Sequence, residues 1–332
     1  MTPVNIAKRE ETFASTLKDS NGHTWTLKNT IDLGKGIKLK QIALKYSSYY
    51  YTSKEEKDKI CLHFTVGVLP GDIATLSKED NHVSVHFVVA RDGTVYQLMD
   101  DDYWSYHLGS NCVGSNGTMS KKSFGIEISN YGPLKLQNDK LMDAYGTEYC
   151  KKSELEYYTA VNYRGYSYYA TMTEIQETAV AQLLLYITSK HNIPLIFKED
   201  LDQVFESAVD ARNFKGIYPH TAVRKDKFDW PAAMLQGVIK KCYAPTSSEE
   251  HDEKQVTVVL PEVIETKEEP IVETKEEVKE EPIVETKEEI KVEEKKEEPK
   301  KENVAVSTTK KISGFDILSI IIDFIKSLFK KS

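Results

Sequence analysis

Cysteine is scarce in this chain. The four thiols, Cys61, Cys112, Cys150 and Cys242, lie far apart and form no C-x-x-C pair, so neither a zinc knuckle nor a dense disulfide framework is indicated. They read as ordinary thiols of a protein made in a reducing cytosol. The opening MTPVNIAKREETF has no apolar core of the kind a secretory signal carries. The chain is expected to be made in the cytoplasm, and action outside it would need release by a separate membrane-permeabilising factor. No H-E-x-x-H is present, which removes a helix-borne metalloprotease. Nor is there a basic patch or an aromatic-basic interleaving, so nucleic acid is not an expected partner.

Charge is plentiful but unevenly spread. The formal net charge is -8. Residues 249–302 hold 21 acidic against 10 basic side chains, residues 303–332 carry a net +3, and residues 1–248 hold 29 of each sign. The tail is therefore charged and the rest is neutral.

Four regions follow from composition. Residues 1–45 read as an N-terminal extension with a hairpin around Asn21-Gly22, a dipeptide that tolerates two positive φ angles. His23 beside it reads as a surface turn residue. Residues 46–246 read as a globular domain. KICLHFTVG, VSVHFVVARDGTVYQL and SFGIEISNYG read as strands, the second a hairpin turning at Asp92-Gly93. MTEIQETAVAQLLLYITSKHN has helical spacing with Thr173 as N-cap, and a last helix is expected from about Trp230 to Lys241. The fold class is α/β, a central mixed sheet flanked by helices. Residues 247–311 repeat PEVIETKEE and PIVETKEE from Pro261, Pro270 and Pro282, with no aromatic residue between Tyr243 and Phe315. Such a stretch buries too little apolar surface to offset its ordering entropy, and is expected to be a disordered acidic linker.

The chemistry gathers in YPHTAVRKDKFDWP, residues 218–231, where His220, Lys227 and Asp229 stand close together. His63 in CLHFTVG offers a second imidazole from a strand end; alone, it could equally be a satisfied core residue. Two histidines and a carboxylate with a fourth position open make a catalytic zinc arrangement. In SFGIEISN the alternation sets Gly125, Glu127 and Ser129 on the face opposite Phe124, Ile126 and Ile128. A mid-strand carboxylate is costly unless that face opens on a polar cleft or a cation; the plainer alternative is a solvated strand face. Beside a zinc-activated water, Glu127 can act as general base and Lys227 can stabilise an oxyanion.

In order, CLHFTVG, VSVHFVVARDGTVYQL, YHLGSN, SFGIEIS and HTAVRKDKFDWP resemble the motif blocks of the zinc-dependent N-acetylmuramoyl-L-alanine amidases, the type-2 amidase and peptidoglycan-recognition superfamily. The likeness spans residues 59–235. It implies a zinc in a surface groove and cleavage of the amide between muramic acid and L-alanine, in the manner of a phage-type lysin. By resemblance His63, His220 and Asp229 are the metal ligands, Glu127 and Lys227 are catalytic, and His107 contacts substrate. His86 either lines the groove, as a further substrate contact, or is structural. Some relatives carry a catalytic Tyr before the histidine of the hairpin block; Val85 stands there. The K-x-D-P of the family is written KFDWP, with Trp230 inserted, so a different loop is expected. The same fold hosts non-catalytic peptidoglycan-binding modules, and a structural, membrane-anchored role is a third reading. Residues 133–170 form an insertion whose tyrosines either stack on sugar rings or pack on the domain.

The last stretch, GFDILSIIIDFIKSLFKKS at residues 314–332, spaces Asp316, Ser319, Asp323, Lys326, Ser327 and Lys330 as one polar stripe of a helix. Its apolar runs never exceed three residues, far short of the ~20 that span a bilayer. Residues 312–332 are expected to form an amphipathic helix on an anionic membrane surface, with self-association or docking in a partner groove as the alternative.

Overall fold

A computed structural model describes residues 1–19, 22–44 and 48–244. The expected linker and C-terminal amphipathic helix lie outside the described residues. Along the chain come α1 (Pro3–Thr16), β1 (Thr26–Gly34), β2 (Ile37–Ala43), β3 (Lys59–Phe64), α2 (Leu69–Leu76), β4 (Phe87–Val89), β5 (Val95–Gln97), α3 (Asn116–Lys122) and β6 (Ser123–Ile128). They are followed by β7 (Pro133–Gln137), β8 (Lys140–Met142), β9 (Glu148–Lys151), β10 (Tyr158–Tyr163), β11 (Tyr166–Ala170), α4 (Glu174–His191), α5 (Ala208–Asn213), β12 (Gly216–Pro219) and α6 (Ala232–Cys242).

The main sheet has seven strands in the order β1-β2-β5-β4-β6-β3-β12. It is mixed: β4, β6, β3 and β12 run parallel, while β4–β5 and β1–β2 are antiparallel. All six residues of β3 are buried, the pattern of a central strand covered on both faces. One face of β3 and β6 presents Ile60, Leu62, Phe124, Ile126 and Ile128 to a core with Val180, Leu184 and Ile187 of α4 and Leu235 and Val238 of α6. The other face is left for polar groups. α4 starts where expected, with Thr173 accepting a hydrogen bond from the Gln176 amide at 3.2 Å, and ends on Asn192 in the left-handed region.

The N-terminal hairpin reading is corrected. The segment before the turn is helix α1, whose Ile6, Glu10 and Phe13 recur at helical spacing and are buried. What remains of the hairpin among the described residues is a short antiparallel bridge, Lys18 to Thr24, flanked by hydrogen bonds from Asp19 N to His23 O at 3.1 Å and from Trp25 N to Leu17 O at 2.9 Å, and His23 is exposed with Nδ1 2.7 Å from Asp19 Oδ2. A boundary at residue 45 does not survive either. β1 and β2 extend the main sheet, Arg91 pairs with Glu10 of α1, and Met1–Thr246 is one compact unit. The 133–170 insertion is an antiparallel five-stranded sheet of its own, β10-β11-β7-β8-β9, and its Tyr149 and Tyr169 are buried.

Candidate active site

Strand register brings the residues together. Cys61 and His63 share the polar face of β3, and the pairing sets His63 opposite Glu127 and Cys61 opposite Gly125 of β6. On the other side β12 ends at Pro219, and a single 3-10 turn, His220–Ala222, follows at once. The loop then returns so that Asp229 O accepts from the Thr221 amide at 2.9 Å. The inserted Trp230 is wholly buried, its indole donating to His63 O at 2.9 Å and its ring edge-on to Phe64. It locks the ligand loop to the end of β3.

His63 Nδ1 lies 2.9 Å from His220 Nδ1, His220 Nδ1 3.0 Å from Asp229 Oδ2, and His63 Nδ1 3.4 Å from that same oxygen. Donors held about 2.0–2.1 Å from one zinc in tetrahedral geometry stand roughly 3.3 Å apart, so these three fit such an ion. Protonation agrees. Burial, then His220, pushes His63 down to about 4. Burial pushes the Asp229 carboxyl up, but the imidazoles of His220 and His63 and the Lys227 ammonium outweigh it and hold the group well below the usual carboxylate range. A neutral imidazole beside an ionised carboxylate is the state that binds metal. His220 Nε2 lies 3.1 Å from Leu108 O. A carbonyl can only accept, so Nε2 donates to it and Nδ1 is the nitrogen that faces His63 and Asp229.

A second donor set, Cys61, His63 and His107, shares His63. Burial raises the Cys61 thiol well above its ordinary range. His107 Nδ1 is 3.0 Å from His63 Nε2, and its Nε2 is 3.0 Å from Ser123 Oγ. This set reads as support beneath His63.

The Glu127 Oε2 atom is buried with no hydrogen-bond partner among the described residues. Burial pushes its pKa well above the ordinary value, Asp229 and Asp72 push further, and Lys227 opposes them. Lys227 is half-buried, and its charge acts on Glu127, His63 and Asp229 alike. An unpartnered buried carboxylate is expensive unless function uses it.

The other two candidate site histidines have their ring nitrogens engaged. His107 serves His63 and Ser123 as above. His86 is buried, its Nε2 donating to Tyr103 O at 2.9 Å and its Nδ1 accepting from the Gly125 amide at 3.3 Å. These contacts are those of the structural role among the two open to it. Sequence reasoning missed Gly125. A Cβ there would meet Val85 Cγ1 at 2.8 Å and the His107 ring at 3.1 Å, so the glycine lets His107 lie on the strand. The G-I-E pattern was its signal.

Two imidazoles and a carboxylate within reach of one ion, beside an unpartnered glutamate, form a candidate metal site at the end of the mixed sheet. The family model for N-acetylmuramoyl-L-alanine amidase, Amidase_2, matches residues 53–229, more than half of the chain, and the chain belongs to that family. Among solved structures it is similar to PlyL, at 13% identity over 57% of this chain and 84% of that one with a TM-score of 0.33. It is also similar to the PlyG catalytic domain in solution, at 15% over 64% and 99% with a TM-score of 0.37. A third is the endolysin N-acetylmuramoyl-L-alanine amidase LysCS from Clostridium intestinale, at 16% over 57% and 85% with a TM-score of 0.31. No curated protein matches the sequence.

Proposed function

We propose that this chain is a zinc-dependent peptidoglycan hydrolase that cleaves the amide between N-acetylmuramic acid and the L-alanine of the stem peptide. The observation that carries the reading is the His63–His220–Asp229 set with the unpartnered Glu127 one strand away. His63, His220 and Asp229 would hold the metal. Zinc in a three-ligand site supplies Lewis acidity, acidifying a water and polarising a carbonyl. Glu127 takes the proton of the attacking water and returns it to the departing amine. Burial raises its pKa well above the ordinary carboxylate range, which favours return of the proton to the amine. Lys227 stabilises the oxyanion that develops on the scissile carbonyl. Trp230 and Leu108 hold the ligands in place from behind.

The retained ligand set and Glu127 favour an enzyme over a non-catalytic binding module. Bacterial peptidoglycan is the partner, and the cellular role is that of a phage-type lysin reaching the wall after the membrane has been breached. The test is zinc content together with turbidity loss on purified cell walls. The expected result is one zinc per chain, loss of hydrolysis on chelation and its return with added zinc. Undiminished hydrolysis in the chelated protein overturns the metal assignment, and zinc binding without hydrolysis returns the chain to the binding-module reading.

A further inference from the structure

The insertion reaches the ligand loop through one side chain. β10 and β11 are joined by the two-residue turn Arg164-Gly165, both with positive φ, 46° and 85°. Such a turn favours Asn or Gly at its first position, and an arginine there is held in the left-handed region at some conformational cost. The guanidinium accounts for its presence. Arg164 Nη1 donates to the carbonyls of Arg224 at 2.8 Å, Lys225 at 3.0 Å and Lys227 at 2.5 Å. Its Nη2 donates to Thr221 O at 3.2 Å and, more weakly, to Asp202 O at 3.5 Å. Four of these carbonyls belong to the loop between His220 and Asp229, beginning one residue after His220 and ending two before Asp229.

Of the flanking residues, one supports the guanidinium and the other reaches the same loop. Tyr163 lies under the guanidinium, 5.0 Å from its centre, and its hydroxyl donates to Asp202 O at 3.4 Å. On the other side of the turn Tyr166 meets Phe228 edge-on, ring centroids 5.0 Å apart. Phe228 is the residue before Asp229. The Tyr163–Tyr166 tip therefore meets the loop through its carbonyls and through the ring beside the third ligand.

We infer that Arg164 is a positioning residue of the metal centre: as a fork of N–H donors inside a ring of backbone carbonyls, it sets the separation of His220 from Asp229 and the place of Lys227. The inference rests on the zinc reading of the site. It assigns the inserted sheet a role in metal retention, in addition to any packing or saccharide contact. A planar guanidinium serves several carbonyls at once, which an ammonium cannot do in the same geometry.

The experiment is a zinc-affinity titration by chelator competition on the full chain, for wild type, Arg164→Ala, Arg164→Lys and His220→Ala, with circular dichroism of each metal-free protein. Arg164→Ala is expected to bind zinc roughly 10- to 100-fold more weakly, the range found for residues that orient ligands. Arg164→Lys should fall between it and wild type. Turnover on cell walls should fall with KM little changed, since the loop carries His220, Asp229 and Lys227. Equal zinc affinity in wild type and Arg164→Ala overturns the inference, as does a loss in which Arg164→Ala fails to fold while a folded Arg164→Lys binds zinc like wild type. A wild type that holds no zinc while His220→Ala behaves identically overturns the metal reading instead.

Discussion

His220 makes its contacts with the site and the backbone at once, and that double use sets what its loss must do. With Nδ1 facing His63 and Asp229 and Nε2 bonded to Leu108 O, His220→Ala removes a ligand and its orienting bond together; both zinc binding and wall hydrolysis should vanish, checked by metal analysis and turbidity. Glu127→Gln should behave differently, because the carboxylate lies across the strand from the donor set and is not one of its three members. It should keep zinc and lose turnover by about 10²- to 10⁴-fold, the usual contribution of general acid-base catalysis; loss of the metal in that variant makes Glu127 a ligand instead. Lys227→Ala should lower turnover by roughly 10²-fold, as removing one oxyanion stabiliser does, with wall binding intact. The ligand types and Glu127 were legible in the sequence because each sits in a short apolar strand or a compact loop. The engagement of His107 with His63 was not, since it depends on a strand glycine that gives the ring room. Arg164 was equally hidden, as nothing in YRGY announces where a hairpin tip will dock.

Elements were legible in proportion to how one-sided their burial is. β3, β6, the β4–β5 hairpin and α4 bury a clear apolar face or both faces, and the alternation or helical spacing shows it. β1 is exposed along most of its length, so no alternation marks it as the edge of the sheet. α1 is anchored by only two apolar side chains and a buried glutamate. Glu10 pairs with Arg91, and its Oε1 also accepts from the Leu69 amide at 3.3 Å and from Ser129 Oγ at 3.4 Å. A salt bridge across 81 positions leaves no local pattern to read. Its worth is testable: Glu10→Ala strands a largely buried guanidinium and should destabilise the domain by on the order of 3 kcal/mol. Urea denaturation should show a lower midpoint at unchanged slope if only the pairing is lost, and an unchanged midpoint contradicts the anchoring role of α1.

At the scale of the whole molecule, buried neutral histidines tie the stability of the Met1–Thr246 unit to pH. Burial, then Lys57, depresses His86 to about 3, against an ordinary value near 6.5, and a nearby backbone carbonyl only partly opposes them. Between those values the unfolded chain binds a proton that the folded chain refuses, so stability rises with pH there and levels off above about 6.5. Lowering the pH from 7 should therefore reduce what each such histidine contributes, with a slope of up to about 1.4 kcal/mol per pH unit, while Asp72, raised to about 6 by burial, acts in the opposite direction. His63, held at about 4, acts in the same direction as His86, and so does His107, lowered by burial and by the imidazoles around it. Zinc on His63 removes that site from titration, so the contribution of His86 is cleanest in metal-free protein. His86→Gln keeps an amide donor and acceptor for Tyr103 O and the Gly125 amide but cannot titrate. Denaturation of the two metal-free proteins across pH 5–7 should show the variant with the shallower slope, whatever its absolute stability. Equal slopes mean that His86 takes up a proton in the fold and that its burial does not govern the acid response.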